Sequence, residues 1–231
     1  MPRKKTGSGS AAGQPLMRDR IKEVATTLLI THGYNGTSFR DIATRLDITT
    51  TNIHYHFGNK QSLVDEVVRE YVDAAVAKHR KIWLDPALSL TDKLKRVAEY
   101  NHSRYKRFNR TGHGGKSWSL IGRLRLESEV LSDAGRAELD RFTSSIHEAI
   151  QTAVEQAAAA GELRPDTPRE DLAFLLINIV NSSSVFTQGA GGFDRLELFF
   201  DAFSRVMLSA YAARPAAVRK APARKKAPPR K

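Results

Sequence analysis

The apolar residues of this chain recur at helical spacing, and strand-like alternation is hard to find. An early apolar stripe over residues 21–29 stops at the glycine-containing sequence "HGYNG". A longer stripe over residues 139–157 stops at Gly161, which suits the geometry of a helix end. The pattern therefore predicts an all-α protein of about nine or ten helices without an internal repeat.

Two C-terminal segments are candidates for a subunit interface. The sequence "LAFLLINIV" at residues 172–180 is apolar on nearly all sides, so it must be buried in the core or between subunits. The last predicted helix, around residues 193–211, cannot continue past Pro215. We expect helices at about 134–160 and 171–185, with part of the last helix, to pair two copies of the chain; the alternative is that both fill one core. The first of these helices offers small residues for a close approach: Ala149, Ala153 and Ala157.

The segment "TSFRDIATRLDITTTNIHYHF", residues 37–57, predicts two short helices joined by a tight turn. Ser38 is a good N-cap, and Asp41 three residues later completes a capping box. Asp47 lies at the turn, where glycine is common, and aspartate tolerates a positive φ better than most residues. Thr49 can cap the second helix. With the preceding helix as a brace, the segment indicates a three-helix unit containing a helix-turn-helix.

The two histidines of "TTTNIHYHFGNK", His54 and His56, raise three possibilities: a metal site, a catalytic site or a DNA contact. On a helix, residues two positions apart are rotated by about 200° around the axis, so the two rings face away from each other. The chain also has no cysteine that could complete a metal site. No nucleophile or orienting partner accompanies them. The sequence "GGKS" at residues 114–117 lacks the earlier glycine of a phosphate-binding loop, because Arg110 stands there. We therefore expect neither an enzyme nor a metal or cofactor site.

The run from residue 21 to residue 63, including "GYNGTSFRDIATRLDITTTNIHYHFGNKQSL", resembles the DNA-binding domain of TetR/AcrR-type transcriptional regulators. The resemblance is carried by "GY", by "TS.RDIA", by the "Y.HF" element and by "NK..L" at the start of the fourth helix. It implies a sequence-specific DNA-binding regulator, a ligand-responsive repressor that binds a palindromic operator as a homodimer.

Candidate DNA-binding residues cluster at the second short helix and its neighbours. The N-terminal end of that helix presents short side chains that suit base edges and phosphates. The resemblance implies that Thr50, Thr51 and His54 lie on the base side, although His54 stands where the family usually has tyrosine. It also implies contacts to the DNA backbone: phosphate contacts by Tyr55, His56 and Lys60, and backbone contacts at the start of the first short helix by Arg40 and Thr37. The full candidate set is Thr37, Arg40, Thr49, Thr50, Thr51, Asn52, His54, Tyr55, His56 and Lys60. Phe57 is expected to be a core anchor.

Charge is unevenly distributed along the chain. Of the net +12, residues 214–231 carry +8 without an acid and residues 3–5 carry +3, so the remainder is nearly neutral. Such proline-, alanine- and lysine-rich ends are disordered by composition, and their expected partner is a polyanion. This leaves a second hypothesis open, a non-specific architectural DNA-binding protein dominated by its tails. A merely solubilising tail is the plainer interpretation.

These features divide the chain into a basic flexible arm (1–15), a helix-turn-helix domain (16–62), a helical effector-binding and dimerisation domain (63–213) and a disordered basic tail (214–231). The expected partners are double-stranded DNA, a second copy of the chain and an unknown small-molecule effector. No apolar run is long enough for a membrane span, and we expect a cytoplasmic, nucleoid-associated protein. The candidate pocket residues are Trp83, Tyr100, Tyr105, Phe108, Trp118 and Leu120.

Overall fold

The computed structural model describes residues 16–110, 115–188 and 192–213, and these residues form the predicted all-α fold. The described residues contain no strand, only an isolated antiparallel bridge between Leu163 and Ala212. The helices are α1 (Met17–His32), α2 (Phe39–Leu46), α3 (Thr50–Phe57), α4 (Lys60–Trp83), α5 (Leu90–Phe108), α6 (Leu120–Arg125), α7 (Asp133–Ala159), α8 (Arg169–Phe186) and α9 (Asp194–Phe203). A 3₁₀ turn (Ser128–Val130) precedes α7, and α9 continues through a π-helical turn (Ser204–Leu208) into a last helical turn, α10 (Ser209–Tyr211).

Local sequence signals set the geometry of α2 and α3. The Ser38 hydroxyl accepts from the Asp41 backbone N–H while the Asp41 carboxylate accepts from the Ser38 N–H, which is the predicted capping box. Asp47 then takes the left-handed conformation (φ 55°, ψ 48°) that turns the chain into α3. Ile53, on the inner face of α3, is fully buried. The prediction of a helix-turn-helix is therefore confirmed in detail.

Helix α4 belongs to both parts of the molecule. It begins at Lys60, beside α3, and continues without a break to Trp83, packing against α7 through most of its length. The expected domain boundary between residues 62 and 63 falls within its first turn. One continuous helix therefore links the base of α3 to the second domain.

The small residues of α7 lie in the core of a single chain. Ala149, Ala153 and Ala157 are all buried where α7 packs between α4 and α8. The prediction that this stripe pairs two copies is wrong, because its close approach is used within the protomer. By contrast, α8 leaves Phe174 and Val185 exposed on its outer side.

The two expected basic arms, residues 1–15 and 214–231, lie outside the described residues, as does Pro215. Among the helices that the structure describes, none combines the length and apolar character needed to cross a membrane.

Candidate DNA-binding surface and ligand cavity

The inner face of α3 is anchored to the core, and its outer face is exposed to solvent. Ile53 and Phe57, four positions apart, are buried and anchor the helix to the core. Thr50 and Thr51 are exposed in its first turn, and Tyr55 projects with 84% of its surface exposed. The first turn of a helix also offers unpaired backbone N–H groups, which favour phosphate oxygens. This face combines hydroxyl donors, methyl groups and a phenol.

Thr49 and Asn52 are partly committed to the helix start. The Thr49 hydroxyl accepts a hydrogen bond from the Asn52 backbone N–H at 3.3 Å, as the sequence predicts for an N-cap. Asn52 is half-buried, and its Oδ1 atom is buried without a hydrogen-bond partner. Asn52 therefore carries an unsatisfied acceptor beside the start of α3.

His54 closes the other end of α3. Its Nδ1 lies 2.7 Å from the Gly58 carbonyl oxygen, and its ring packs edge-on against Phe39 at 4.8 Å. A carbonyl oxygen only accepts, so Nδ1 carries the proton and donates. In the neutral ring, Nε2 is then left as an acceptor. His54 thus holds the turn between α3 and α4 while remaining exposed.

Arg18 joins the three helices around this surface. Its Nη1 donates to the His56 carbonyl oxygen at 2.8 Å, Nη2 pairs with Glu66 of α4, and the guanidinium lies 4.4 Å above the Phe57 ring. His56 is half-buried, with its ring packed edge-on against Tyr55. The sequence analysis did not identify Arg18, because its partners are 38 and 48 residues away.

The two basic candidates differ in their surroundings. Arg40 is exposed on the first turn of α2. The Lys60 ammonium lies 4.0 Å above the Tyr34 ring, a cation–π contact that places the lysine beside the "GY" turn. Partial burial lowers the pKa of Lys60, although Glu127 and Asp41 oppose that shift.

Thr37 does not fit its predicted role. Its side chain is buried, its hydroxyl donates to the Gly33 carbonyl oxygen at 2.7 Å and its backbone N–H donates to Tyr34. Both donors of Thr37 are therefore used inside the protein, and the residue stabilises the turn before α2.

Two side chains, one from α6 and one from the segment that follows it, join the second domain to that same turn. Glu127 Oε2 accepts from the Tyr34 backbone N–H at 2.6 Å, and Glu127 Oε1 pairs with Arg123 at 2.8 Å. Arg123 also donates to the His32 carbonyl oxygen at 3.3 Å. We call this arrangement the Arg123–Glu127 pair. No local sequence signal marks it, because the partners are more than 90 residues apart.

Arg104 and Trp118 line two neighbouring cavities. The inner cavity, about 30 Å³, is bounded by α4, α5, α6, α7 and α8; the outer cavity, about 180 Å³, is bounded by α1, α4 and α5. Among the predicted pocket residues, Trp118 and Phe108 line a cavity. Tyr100 lies just behind, with its ring 5.3 Å from the Arg104 guanidinium.

The other three predicted pocket residues line neither of these two cavities. Trp83, Tyr105 and Leu120 are almost completely buried, and the Tyr105 ring packs 5.3 Å from that of Phe193. Their apolar character serves the packing of the core. Apolar character in a sequence does not distinguish a cavity wall from a core position, which explains the error.

Comparison with known proteins places this geometry in a recognised group. Residues 21–67 match the family model described as "Bacterial regulatory proteins, tetR family". Over 71 residues the chain is 34% identical to the HTH-type transcriptional repressor KstR2 of Rhodococcus jostii, covering 31% of this chain and 35% of that protein. The chain thus spans about a third of the length of that curated relative.

Solved structures extend the likeness to the whole fold. Reduced NemR of Escherichia coli superposes with a TM-score of 0.69 at 14% identity, covering 86% of this chain and 98% of that one. A TetR transcriptional regulator from Legionella pneumophila gives a TM-score of 0.67 at 25% identity, covering 83% and 98%. Beyond the N-terminal domain, it is the fold that these structures share with the chain.

Proposed function

Because this chain belongs to the TetR family of bacterial regulatory proteins, we propose that it is a ligand-responsive transcriptional repressor that binds a palindromic operator as a homodimer. The observation that carries the proposal is the exposed, internally braced outer face of α3, presented by a helix-turn-helix. The curated relative named above is a repressor. The second hypothesis, an architectural protein dominated by its tails, has no support among the matches.

In the proposed complex, the N-terminal half of α3 enters the major groove. Thr50 and Thr51 face the bases, and Tyr55 and His56 lie toward the phosphates. Arg40 and Lys60 add charged phosphate contacts on either side of α3. His54 acts mainly by fixing the end of α3, with Nε2 available to one DNA group. Thr49 contributes as the cap, and Thr37 is left out of the interface.

The proposed dimer forms through the outer faces of α8 and α9. Along α8, Phe174, Asn178, Ser182 and Val185 follow helical spacing on one side. Two large apolar side chains of the following helical segment, Leu198 and Val206, are more than 60% exposed. A strip with four exposed large apolar side chains on adjacent helical segments is typical of a subunit interface.

Ligand response is proposed to pass through α6. One side of α6 lines the inner cavity through Ile121, Gly122 and Arg125, while the Arg123–Glu127 pair reaches the turn between α1 and α2. A ligand that displaces α6 would therefore move the helix-turn-helix domain relative to α4. The change in operator affinity is limited by the ligand's differential affinity for the two arrangements. Such a regulator works in the cytoplasm, on the bacterial chromosome.

Selection of bound sequences from random DNA duplexes tests this proposal. The full chain should enrich one short palindrome whose half-sites are about one helical turn apart, 34–36 Å, or a multiple of it. The proposal would be refuted by uniform recovery of all duplexes at physiological salt, because that is the behaviour of a non-specific binder.

A further inference from the structure

The Arg104 side chain is a largely buried cation that has no carboxylate partner among the described residues. Its Nη2 atom is buried and has no hydrogen-bond partner. Three aromatic rings surround the guanidinium instead, those of Tyr71 at 5.1 Å, Tyr100 at 5.3 Å and Trp118 at 5.4 Å. Within the described residues, no carboxylate forms an ion pair with Arg104. Burial lowers the pKa of Arg104 to about 10, so the group remains charged at neutral pH.

The inner cavity beside Arg104 is polar, and no acidic residue lines it. Arg125 lies on its wall and bonds only to neutral oxygens, Asn181 Oδ1 and Thr143 Oγ1. His79 Nδ1 is buried at the same cavity without a partner, and Asn101 is a further buried polar lining residue. At about 30 Å³ the cavity has room for one or two water-sized groups, such as the two oxygens of a carboxylate.

The outer cavity on the other side of Arg104 is more apolar. Tyr71, Phe108, Trp118 and Ile30 form much of its wall. At about 180 Å³ it is slightly larger than the apolar cavity of about 150 Å³ that holds benzene in another protein. Its two other charged residues, Glu23 and Arg107, lie 3.8 Å apart and offset each other, so the uncompensated charge is that of Arg104.

We propose that the effector is a small organic carboxylate whose anionic head binds Arg104 and whose ring or short alkyl body fills the outer cavity. The regulatory role of this ligand rests on the proposed function, whereas the binding site itself does not depend on it. A carboxylate against Arg104 supplies the guanidinium with the charge-assisted hydrogen bonds that no carboxylate of the described residues provides. The surrounding rings then cover the guanidinium and keep water from competing.

The outer cavity also borders the DNA-binding domain directly. Glu23, Thr26, Thr27 and Ile30 of α1 form one of its walls, so the body of the ligand touches the DNA-binding domain itself. The head group lies against the cavity that α6 lines. One small molecule in the outer cavity therefore contacts α1 and lies beside the cavity that α6 lines.

Binding of matched probes to the full chain tests the charge requirement. We would titrate 3-phenylpropanoate and hexanoate against their neutral amides, following heat and tryptophan fluorescence. The carboxylates should bind at least about tenfold more tightly than the amides, since a charge-assisted bond is lost in each amide. Arg104→Gln should reduce that ratio to below about threefold. The matched control Arg96→Gln, which removes an exposed arginine of the same helix, should leave the ratio unchanged.

Arg104→Lys covers the case in which Arg104→Gln does not fold, because it retains the charge and should retain part of the preference for carboxylates. Equal binding of carboxylates and amides to the wild-type chain, or no binding of either carboxylate, overturns the inference. So does a preference that survives in folded Arg104→Gln. Operator binding measured on the same samples separates the two proposals: carboxylate binding without operator binding supports the site and refutes the repressor function.

Discussion

At the scale of single residues, the burial of His79 makes folding depend on pH. It is buried between the Tyr100 and Phe142 rings, at 5.5 and 5.8 Å, and burial lowers its pKa from 6.5 to about 4. Between those pH values the unfolded chain binds a proton that the folded chain excludes. Stability is therefore lost as the pH falls through this window.

We expect this one residue to cost roughly 2 kcal/mol of stability between pH 7 and pH 5, from the usual 1.36 kcal/mol per pKa unit. Urea unfolding of wild type and His79→Phe at both pH values measures it. The variant should lose about that much less stability on acidification, while the exposed-histidine control His32→Asn should behave like wild type. An identical loss in wild type and His79→Phe would contradict the burial argument.

His54 has a structural role that the sequence alone did not indicate. The pattern marked it only as a departure from a usual tyrosine, with a direct base contact implied. The structure gives it a second role, since Nδ1 donates to the Gly58 carbonyl oxygen and the ring rests against Phe39. A histidine at this position can therefore both hold the turn and face DNA.

At the scale of elements, the predictable features are those whose partners are close in sequence. The Ser38–Asp41 capping box, the Thr49 cap and the left-handed Asp47 all involve residues within three or four positions, and each was predicted. The interactions of Arg18 and the Arg123–Glu127 pair join residues tens of positions apart. Only the packed structure reveals them. The alanine stripe of α7 was misassigned because close packing within a chain and between chains has the same sequence pattern.

Because the Arg123–Glu127 pair contacts the "GY" turn, we expect Gly33 to be sensitive to substitution. This residue has φ 77° and ψ −176°, a region that only glycine occupies readily, and an added Cβ would lie 2.2 Å from Glu127 Oε1. Gly33→Ala should cost about 3 kcal/mol of unfolding free energy. The control Gly161→Ala, also at positive φ but with no atom within 4 Å of the added Cβ, should cost less.

A double-mutant cycle isolates the side-chain contact. With Glu127→Ala in the background, Gly33→Ala should cost roughly 1 kcal/mol less than in the wild-type chain, because the clash with the Glu127 carboxylate is gone while the contact with Arg123 and the backbone strain remain. Chemical unfolding of the four proteins supplies the numbers. If the losses of unfolding free energy for the two substitutions were strictly additive, the Glu127 side chain would not clash with an added Cβ at residue 33, contrary to the prediction.

At the scale of the whole molecule, the proposed operator recognition depends on a second copy. A single α3 presents only two turns of helix, so it reads few bases, and two-fold pairing doubles the site. The exposed strip of α8 and α9 is the surface that the described part of the chain offers for pairing, with Phe174 61% exposed near its start.

Phe174→Asp should convert a dimer into a monomer, because it places an unpaired charge in an apolar interface. Sedimentation at micromolar concentration distinguishes the two states. Leu126→Asp, which alters a side chain 62% exposed outside this strip, is the matched control and should leave the dimer intact. A Phe174→Asp protein that sediments like wild type would place the interface elsewhere.

The central claim is that the outer face of α3, with Lys60 beside it, contacts DNA, and fluorescence anisotropy on the selected palindrome tests it most directly. Tyr55→Ala and Lys60→Gln should each weaken binding by about tenfold or more at physiological salt, as expected for the loss of a contact worth 1–3 kcal/mol. Lys81→Gln, which removes an exposed lysine from the far end of α4, should change the affinity less than about twofold. Wild-type affinity in both Tyr55→Ala and Lys60→Gln would contradict the account.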